Sequence, residues 1–479
     1  MMKTNFIQWF VMVTLVSTFG MNGCDGGNDD DGDMSSEMDT VTDTSTDTAM
    51  DTAMDTATDT MSLMKTLFRV NIRNISDSLV LGDSGTFSIP DGAVAPAPAF
   101  PGDSYSFSFF AGMEDRLSLA TMFVHSNDWI LATPPEGIPL FDQMGTPVTG
   151  DVTAHVKLYD VGTEINQPIG EGGDQPVRQS GPNTGEMDAN AQIRMLNPMD
   201  VGAPPVEEVI RVLLSHEMGM FTIHIENIST DMTIELYDMS TTSAPVSPGV
   251  YAIHTGDVMP LFTLGAADGG HGLEDLAEDG DPSVLAEYLL GMTGPAGPIA
   301  PGVFVVHHGD TSALFTEHQP DMSHGLEALA EDGNPEMLQM YLSNMFETSG
   351  AFNMPVGKTE ATPAFPGDSY SFTFEASAGD YLSFATMLVK SNDLFFSPMD
   401  KGLALFSNGT PVVGDVTDSI HLWDAGTEVN EVPGFGPNQP LNQTDSTAPI
   451  TEMGQVMMVD DGFFYPEVNR FLQVTISIE

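Results

Sequence analysis

The sequence predicts an all-β protein made of two tandem antiparallel β-sandwiches, the second carrying short helical insertions. Hydroxyl side chains alternate with aromatic ones over residues 104–109, directly after a Pro-Gly turn, and residues 369–374 repeat the pattern. Such period-two alternation is typical of strands that bury one face. Clusters of Gly, Pro, Asn and Asp separate the short alternating segments, which favours antiparallel sheets over an α/β fold. The third observation is an internal repeat.

The repeat sets the predicted domain boundaries. Its matched segments are 85–128 with 350–393, 156–164 with 420–428, 68–75 with 221–228, and 209–217 with 471–478. Each copy therefore opens and closes with a similar strand. Two copies of one domain are predicted, a first sandwich at 64–218 and a second at 219–479.

A second repeat lies inside the second copy and predicts helices there. A His-x-Gly-Asp segment followed by Gly-Leu-Glu-x-Leu-Ala-Glu-Asp-Gly occurs at 253–280 and again at 306–333. In both, a glycine, Gly280 or Gly333, can end a short helix in the left-handed conformation. An Asp-Pro or Asn-Pro pair can then begin the next helix. A helical insertion is therefore predicted at 253–345, and the first copy lacks it.

Composition and charge exclude several classes of function. The chain has 479 residues, with 13 Lys and Arg against 69 Asp and Glu, a formal net charge of −56, and one cysteine. Nucleic-acid affinity comes largely from Lys and Arg that displace counterions, so no nucleic-acid partner is expected. A single cysteine excludes a disulfide framework, Cys-rich zinc modules and iron–sulfur clusters.

The N-terminal segment, positions 1–63, predicts export and attachment to a membrane. An apolar run at 7–21 ends just before the only cysteine, Cys24, as in a bacterial lipoprotein signal. Residues 1–23 are predicted to be the signal peptide, and Cys24 the lipidated anchor of a protein at the cell surface or in the periplasm. The alternative is an ordinary signal peptide with an incidental cysteine. Residues 24–63 are rich in Asp and Thr and are predicted to be a disordered acidic tether.

Two short motifs, each present twice and in the same order, resemble a known family. The first is Ser-Asn-Asp-Trp at 126–129, with Ser-Asn-Asp-Leu at 391–394. The second is Tyr-Asp-Val-Gly-Thr-Glu at 159–164, with Trp-Asp-Ala-Gly-Thr-Glu at 423–428. The pair resembles the Ser-Pro-Asp-Trp and Trp-Asp-Ala-Gly-Thr-Asp segments of the spondin N-terminal domain, including that of bacterial spondin-domain lipoproteins.

The resemblance implies a β-sandwich related to calcium-dependent phospholipid-binding modules, with a calcium site in each copy. It implies that Ca²⁺ is held by acids of both motifs, namely Asp128, Asp160 and Glu164 in the first copy and Asp393, Asp424 and Glu428 in the second. Clustered loop carboxylates without sulfur or imidazole also favour a hard cation on chemical grounds. The alternative is that these acids cap turns through backbone hydrogen bonds.

Both copies depart from the family motifs, with Asn127 and Asn392 in place of Pro and with Glu164 and Glu428 in place of the final Asp, and the second copy departs at one position more. Leu394 stands where the motif has Trp. We therefore expect the first site to be the stronger one. On that expectation Asp160→Asn costs more calcium-dependent stability than Asp424→Asn.

Two functions from different classes remain open on the sequence. The first is a non-enzymatic, lipid-anchored calcium-binding protein that serves adhesion, with extracellular matrix, a polysaccharide or a surface protein as ligand. The alternative is an extracytoplasmic metal-dependent hydrolase that uses His254, Asp257, His307 and Asp310 around a metal. Zinc catalysis needs three protein ligands at an open position. A transition metal with His ligands would favour the hydrolase, and calcium with oxygen ligands the adhesion protein.

Overall fold

The computed structural model describes residues 65–479, apart from 177, 310 and 444–447. This part of the chain is predominantly β, with antiparallel sheets and a few short helices, so the all-β prediction is confirmed. The signal peptide at 1–23, Cys24 and the tether at 24–63 lie outside the described residues and stay predictions. None of the helices between 65 and 479 is both long and apolar enough to cross a bilayer.

Strands predominate from the start of the described chain to its third helix. In order, the elements are β1 (Thr66–Asn74), β2 (Leu81–Phe87), β3 (Ser104–Phe110), β4 (Asp115–Phe123), β5 (Trp129–Ala132), β6 (Ile138–Pro139), β7 (Gly150–Asp151), β8 (Lys157–Asp160), β9 (Arg194–Met195), α1 (Val206–Val209), β10 (Ile210–Glu217), β11 (Met220–Asn227), β12 (Ile234–Glu235), β13 (Thr241–Thr242), β14 (Val246–Thr255), α2 (Leu273–Asp279) and α3 (Ser283–Leu290).

The remaining elements follow the third helix. They are β15 (Ile299–His308), α4 (Leu326–Asp332), α5 (Glu336–Met345), β16 (Thr348–Phe352), β17 (Ser369–Ala376), β18 (Asp380–Leu388), β19 (Leu394–Pro398), β20 (Leu403–Ala404), β21 (Phe406–Ser407), β22 (Thr410–Pro411), β23 (Gly414–Asp415), β24 (Ile420–Asp424), β25 (Met457–Met458) and β26 (Leu472–Ile478).

The first sandwich consists of two sheets with strand orders β3-β11-β10-β7 and β2-β14-β4-β5-β8-β9. Its core lies between them and contains Tyr105, Leu119, Trp129 and Phe221, all at most 2 % exposed. The serines of β3 alternate with its aromatic residues, and the hydroxyls of Ser104 and Ser106 lie on the exposed face. The predicted period-two pattern therefore describes this strand correctly.

The second sandwich has the same arrangement, with strand orders β17-β1-β26-β23 and β16-β15-β18-β19-β24-β25. Its core contains Phe68 and Ile72 of β1 together with Phe384, Phe396 and Val474, all fully buried. Apolar residues alternate along β1, β17 and β26, so each strand presents one side to this core.

A helix pair covers the outer face of the larger sheet in each sandwich. Leu276 of α2 and Leu289 of α3 are fully buried in one cluster with Ile130 of β5, and α4 and α5 pack in the same way on the second sandwich. The predicted helix ends are present: Gly280 and Gly333 have φ of 68° and 65°, the left-handed conformation that glycine adopts without strain. Each sandwich therefore consists of three layers, namely two sheets and one helix pair.

Strand pairing departs from the predicted boundary between 218 and 219. β1 lies between β17 and β26, so it belongs to the second sandwich. β11, β14, α2 and α3 belong to the first, because β11 pairs with β3 and β10, and β14 pairs with β2 and β4. The region 253–345 also includes β15, a central strand. Each sandwich therefore has one helix pair, and the first does not lack it.

A local feature explains this arrangement. Met218 and Gly219 both have positive φ and form the two-residue turn of a hairpin, so β11 pairs with β10 directly before it rather than with later strands. The first sandwich is inserted between β1 and β15 of the second. Its entry and exit lie together, since the N–H of Leu81 donates to Met292 O and that of Gly294 to Leu81 O, both at 3.0 Å.

Candidate metal centres

The two motifs lie at the ends of neighbouring strands, which brings their acids together. Asp128 directly precedes β5 and Asp160 ends β8, and these strands pair with Trp129 opposite Asp160. Asp393 and Asp424 take the same places on β19 and β24 of the second sandwich. Strand register therefore fixes both aspartates of each site.

Asp128 is fully buried, and one of its oxygens holds the turn after β8. Oδ2 accepts hydrogen bonds from the backbone N–H of Thr163 at 2.8 Å and of Glu164 at 3.1 Å, whereas Oδ1 has no partner among the described residues. Burial, followed by the nearby Asp160 carboxylate, raises the pKa of Asp128 to about 6. Turn capping thus accounts for one oxygen of Asp128 and leaves the other without a partner.

Asp160 is equally buried, but a guanidinium contacts it. Its Oδ2 accepts hydrogen bonds from Arg194 Nη2 and from Asn166 Nδ2, each at 2.6 Å. Arg194 Nη2 also donates to Asp188 at 2.9 Å. Burial raises the pKa of Asp160, and the bonds from Asn166 and Arg194 oppose that shift. Arg194 is a site residue that the sequence motifs did not reveal.

Glu164 is buried with both of its oxygens engaged. Oε1 accepts from the backbone N–H of Gly185 at 2.5 Å and Oε2 from Asn127 Nδ2 at 3.1 Å. A Cβ at Gly185 would collide with the Glu164 carboxylate, so only glycine allows this approach. Asn127 therefore helps to position Glu164.

A fourth acid, Glu278 of α2, faces the same place and was not among the predicted ligands. It is 2 % exposed, and neither of its carboxylate oxygens has a hydrogen-bond partner among the described residues. Burial, followed by the carboxylates of Glu164, Glu274 and Asp128, raises its pKa to about 8. The signal was present in the sequence, because the inner repeat places a glutamate at the same position of both Leu-Ala-Glu-Asp-Gly segments.

The second sandwich repeats the turn contact. Asp393 is fully buried, its Oδ2 accepts the N–H groups of Thr427 at 2.7 Å and Glu428 at 3.0 Å, and its Oδ1 has no partner among the described residues. Burial raises the pKa of Asp393. Burial, then the carboxylate of Glu331 on α4, raises the pKa of Glu428 to about 7. Glu331 is the counterpart of Glu278.

Asp424 differs from its counterpart Asp160 because only neutral groups donate to it. Oδ1 accepts from the N–H of Gly426 at 2.7 Å and Oδ2 from Asn430 Nδ2 at 2.6 Å. Burial, then the Asp393 carboxylate, raises the pKa of Asp424 to about 7. We call Asp128, Asp160, Glu164 and Glu278 the first acid cluster, and Asp393, Asp424, Glu428 and Glu331 the second.

The clusters are not closed coordination shells. In the described part of the chain, no group of three or more His, Cys, Asp or Glu side chains is arranged so that it could hold a metal ion. The residues nevertheless fit a hard cation in chemistry, because buried oxygens of Asp128, Asp160, Glu278 and Asp393 have no hydrogen-bond partner in the described structure. A cation would have to draw these side chains together.

Of the four residues of the hydrolase alternative, the three that the structure describes, His254, Asp257 and His307, are not brought together as one site. His254 and His307 are buried in different sandwiches, where their Nε2 atoms meet the hydroxyls of Ser118 at 2.8 Å and Ser383 at 2.9 Å. Burial lowers the pKa of both histidines. Asp257 is exposed and accepts from Thr255, and Asp310 lies outside the described residues. Each histidine therefore forms a buried hydrogen bond within its own sandwich.

Comparison with known proteins adds no family assignment. A scan against protein-family models and a search of curated proteins returned no match.

Proposed function

We propose that the chain is a non-enzymatic, lipid-anchored extracytoplasmic protein that binds calcium and serves adhesion or surface contact. The observation that carries the proposal is the duplicated acid cluster, in which buried carboxylate oxygens have no hydrogen-bond partner among the described residues. A buried, unpaired charge is costly unless the group is neutralised or binds a cation. Asp393, Asp424, Glu428 and Glu331 would supply oxygen ligands, which Ca²⁺ prefers.

The motif resemblance supports the same function. The acids of the spondin-like motifs are the ones that strand register brings together, and the motif-derived turns hold Asp128 and Asp393 in the same way. On this proposal both sandwiches are of the spondin N-terminal type. We propose an exported protein at the cell surface or in the periplasm, anchored through Cys24.

The net charge suggests how calcium takes part in contact. A chain with a net charge of −56 is repelled by anionic polysaccharides, matrix proteins and lipid headgroups. A divalent cation between two anionic surfaces offsets that repulsion. We therefore propose that contact with such a ligand depends on calcium, and we expect no nucleic-acid partner.

Thermal unfolding of the full chain tests calcium binding. Calcium at 100-fold excess over Kd should stabilise the folded state by about 2.7 kcal/mol, because it binds that state alone. Magnesium should do less, since it tolerates irregular oxygen cages poorly. The variant Asp160→Asn with Asp424→Asn should lose the gain, because it removes one charge from each acid cluster. If this variant and the wild type shift equally with calcium, the acids are turn caps and the calcium proposal is wrong.

Fractionation tests the anchor independently. Replacement of Cys24 by Ser should release the protein from the membrane fraction, because it removes the acylated residue. Unchanged fractionation and processing would contradict the lipoprotein part of the proposal and leave the calcium part standing.

A further inference from the structure

The two acid clusters differ at one register position. β8 pairs with β9 so that Asp160 is opposite Arg194, and β24 pairs with β25 so that Asp424 is opposite Met457. On the other side, the pairing is the same in both sandwiches, because Asp160 is opposite Trp129 and Asp424 is opposite Leu394. Trp129 and Leu394 each directly follow the other aspartate of their cluster. An arginine in one sandwich thus stands where the other has a methionine.

Arg194 is held firmly in the first cluster. Its Nη2 donates to Asp160 at 2.6 Å and Asp188 at 2.9 Å, and its Nη1 donates to the carbonyl of Asn190 at 2.9 Å. Its side chain is 29 % exposed, and that of Asp160 is fully buried. A guanidinium stays charged at any ordinary pH, so Asp160 always has a positive partner.

The second cluster has no such partner. Both oxygens of Asp424 accept hydrogen bonds from neutral groups, and Met457 is an apolar side chain that is 38 % exposed. Among residues 65–479, leaving aside the few positions not described, no ion pair involves Asp393, Asp424, Glu428 or Glu331. A cluster of this kind can reduce its repulsion only by taking up protons or a cation.

We infer that the two clusters have different ligands: the second binds one Ca²⁺, whereas in the first the Arg194 guanidinium takes the place of the cation. Asp393, with a fully buried oxygen that lacks a partner in the described structure, is the central ligand of the occupied site. This inference rests on the proposed function, because it assigns the calcium of that proposal to one sandwich. Arg194 and Met457 are then the residues that decide which sandwich responds to calcium.

Calorimetric titration of the full chain with calcium chloride at pH 8 tests the inference by stoichiometry. The wild type should bind one Ca²⁺ per chain. Met457→Arg should bind none, because a guanidinium enters the second cluster, and Arg194→Met should bind two. Arg211→Met is a matched control, since Arg211 is an exposed arginine paired with Glu226 on the outer surface, and it should still bind one.

Two further variants keep the test decisive if Arg194→Met does not fold. Asp424→Asn should abolish binding and Asp160→Asn should keep one Ca²⁺ per chain. Two Ca²⁺ per wild-type chain, or a single Ca²⁺ that is lost in Asp160→Asn and kept in Asp424→Asn, would overturn the inference while leaving the proposed function intact. No binding by the folded wild type would instead overturn the proposed function.

Discussion

The first sandwich is built from one continuous segment, β2 to α3, whereas the second combines β1 with β15 to β26. β1 ends at Asn74 and β15 begins at Ile299, so the whole first sandwich lies between them in the chain. Closing so long a loop costs entropy and slows the formation of non-local contacts. Because Leu81 bonds both Met292 and Gly294, folding of the first sandwich brings the end of β1 close to the start of β15. We therefore expect the second sandwich to need the first in order to fold, and the first to fold without the second.

The largest expected effect is on fragments of the chain. A fragment of residues 79–295 contains every strand and helix of the first sandwich and should fold alone. A fragment of residues 219–479, the second copy as the repeats divide the chain, lacks β1 and carries β11 and β14 without partners. It should fail to give a cooperative transition in thermal unfolding followed by circular dichroism. Cooperative unfolding of 219–479 would contradict the assignment of β1.

Truncation of matched core residues should affect the two sandwiches unequally. Phe68 of β1 and Phe221 of β11 are both fully buried. Phe→Ala in a core costs about 3–5 kcal/mol. Phe68→Ala should destabilise the second sandwich and leave the first nearly unchanged, as measured by amide hydrogen exchange.

Phe221→Ala is the control for that asymmetry. It should lower protection from exchange in both sandwiches, because the first also positions β1. Loss of protection throughout the first sandwich in Phe68→Ala would show that the dependence runs in both directions.

In the absence of calcium, substitution of one aspartate in each cluster should change the stability of the folded protein in different directions. Asp160→Asn should destabilise the protein by about 1–3 kcal/mol, because it weakens a charge-assisted bond to Arg194. Asp424→Asn should be neutral or stabilising, since it removes a half-buried charge without a cationic partner. Chemical denaturation with a chelator present measures both. Equal destabilisation would mean that Arg194 does not distinguish the clusters.

The calcium-dependent part of stability should follow the opposite order from the one that Leu394 suggests in the sequence. Leu394 is fully buried in the core, and both hydrogen bonds to Asp424 come from other residues. The presence of Arg194 in the first cluster is a larger difference between the clusters than Leu394 in the position that corresponds to Trp129. We therefore expect Asp424→Asn, and not Asp160→Asn, to remove the calcium gain.

A further expected effect is on the pH dependence of stability. The pKa values of Asp424 and Glu428 are raised to about 7 in the folded protein, from ordinary values of 3.8 and 4.5. Between these values the folded state holds more protons than the unfolded state, so stability present at low pH should be lost as the pH rises towards 7. Calorimetry with a chelator at pH 5 to 8 should show a falling Tm, and calcium should flatten the decline.

The matched variant separates the second cluster from other acids. Asp128 and Glu278 in the first cluster have raised pKa values of about 6 and 8 and act in the same direction. Asp424→Asn with Glu428→Gln should therefore reduce the slope without removing it. A chelated protein whose Tm rises from pH 5 to 7 would contradict these shifts.

Local patterns in the sequence predicted the elements better than their partners. The strands predicted at 68–75 and 221–228 correspond to β1 and β11, and Gly280 and Gly333 end helices as expected. Repeats with different spacings could be combined in several ways, and nothing local shows that β1 pairs with β17, which begins only at Ser369. The boundary between the two sandwiches therefore depends on tertiary contacts, which local sequence patterns do not show.

The acid clusters were also predictable only in part, because tertiary contacts bring some of their residues together. Motif spacing indicated the aspartates, because short neighbouring strands fix their positions. Glu278 comes from a helix on a different repeat, and Arg194 from a strand that follows Asp160 only after a long connection. Only the fold brings these two residues to the motif acids.

The position of β1 also determines how the protein resists a pulling force. β1 is the first strand of the described residues, and it has eight register pairs with β17 on one side and seven with β26 on the other. Tension on the residues before 65 therefore acts along the axis of a central strand. That strand can leave only by sliding past both neighbours, so its hydrogen bonds share the load at once instead of opening one at a time. If residues 24–63 form the predicted tether, the second sandwich takes the first share of any tension along it.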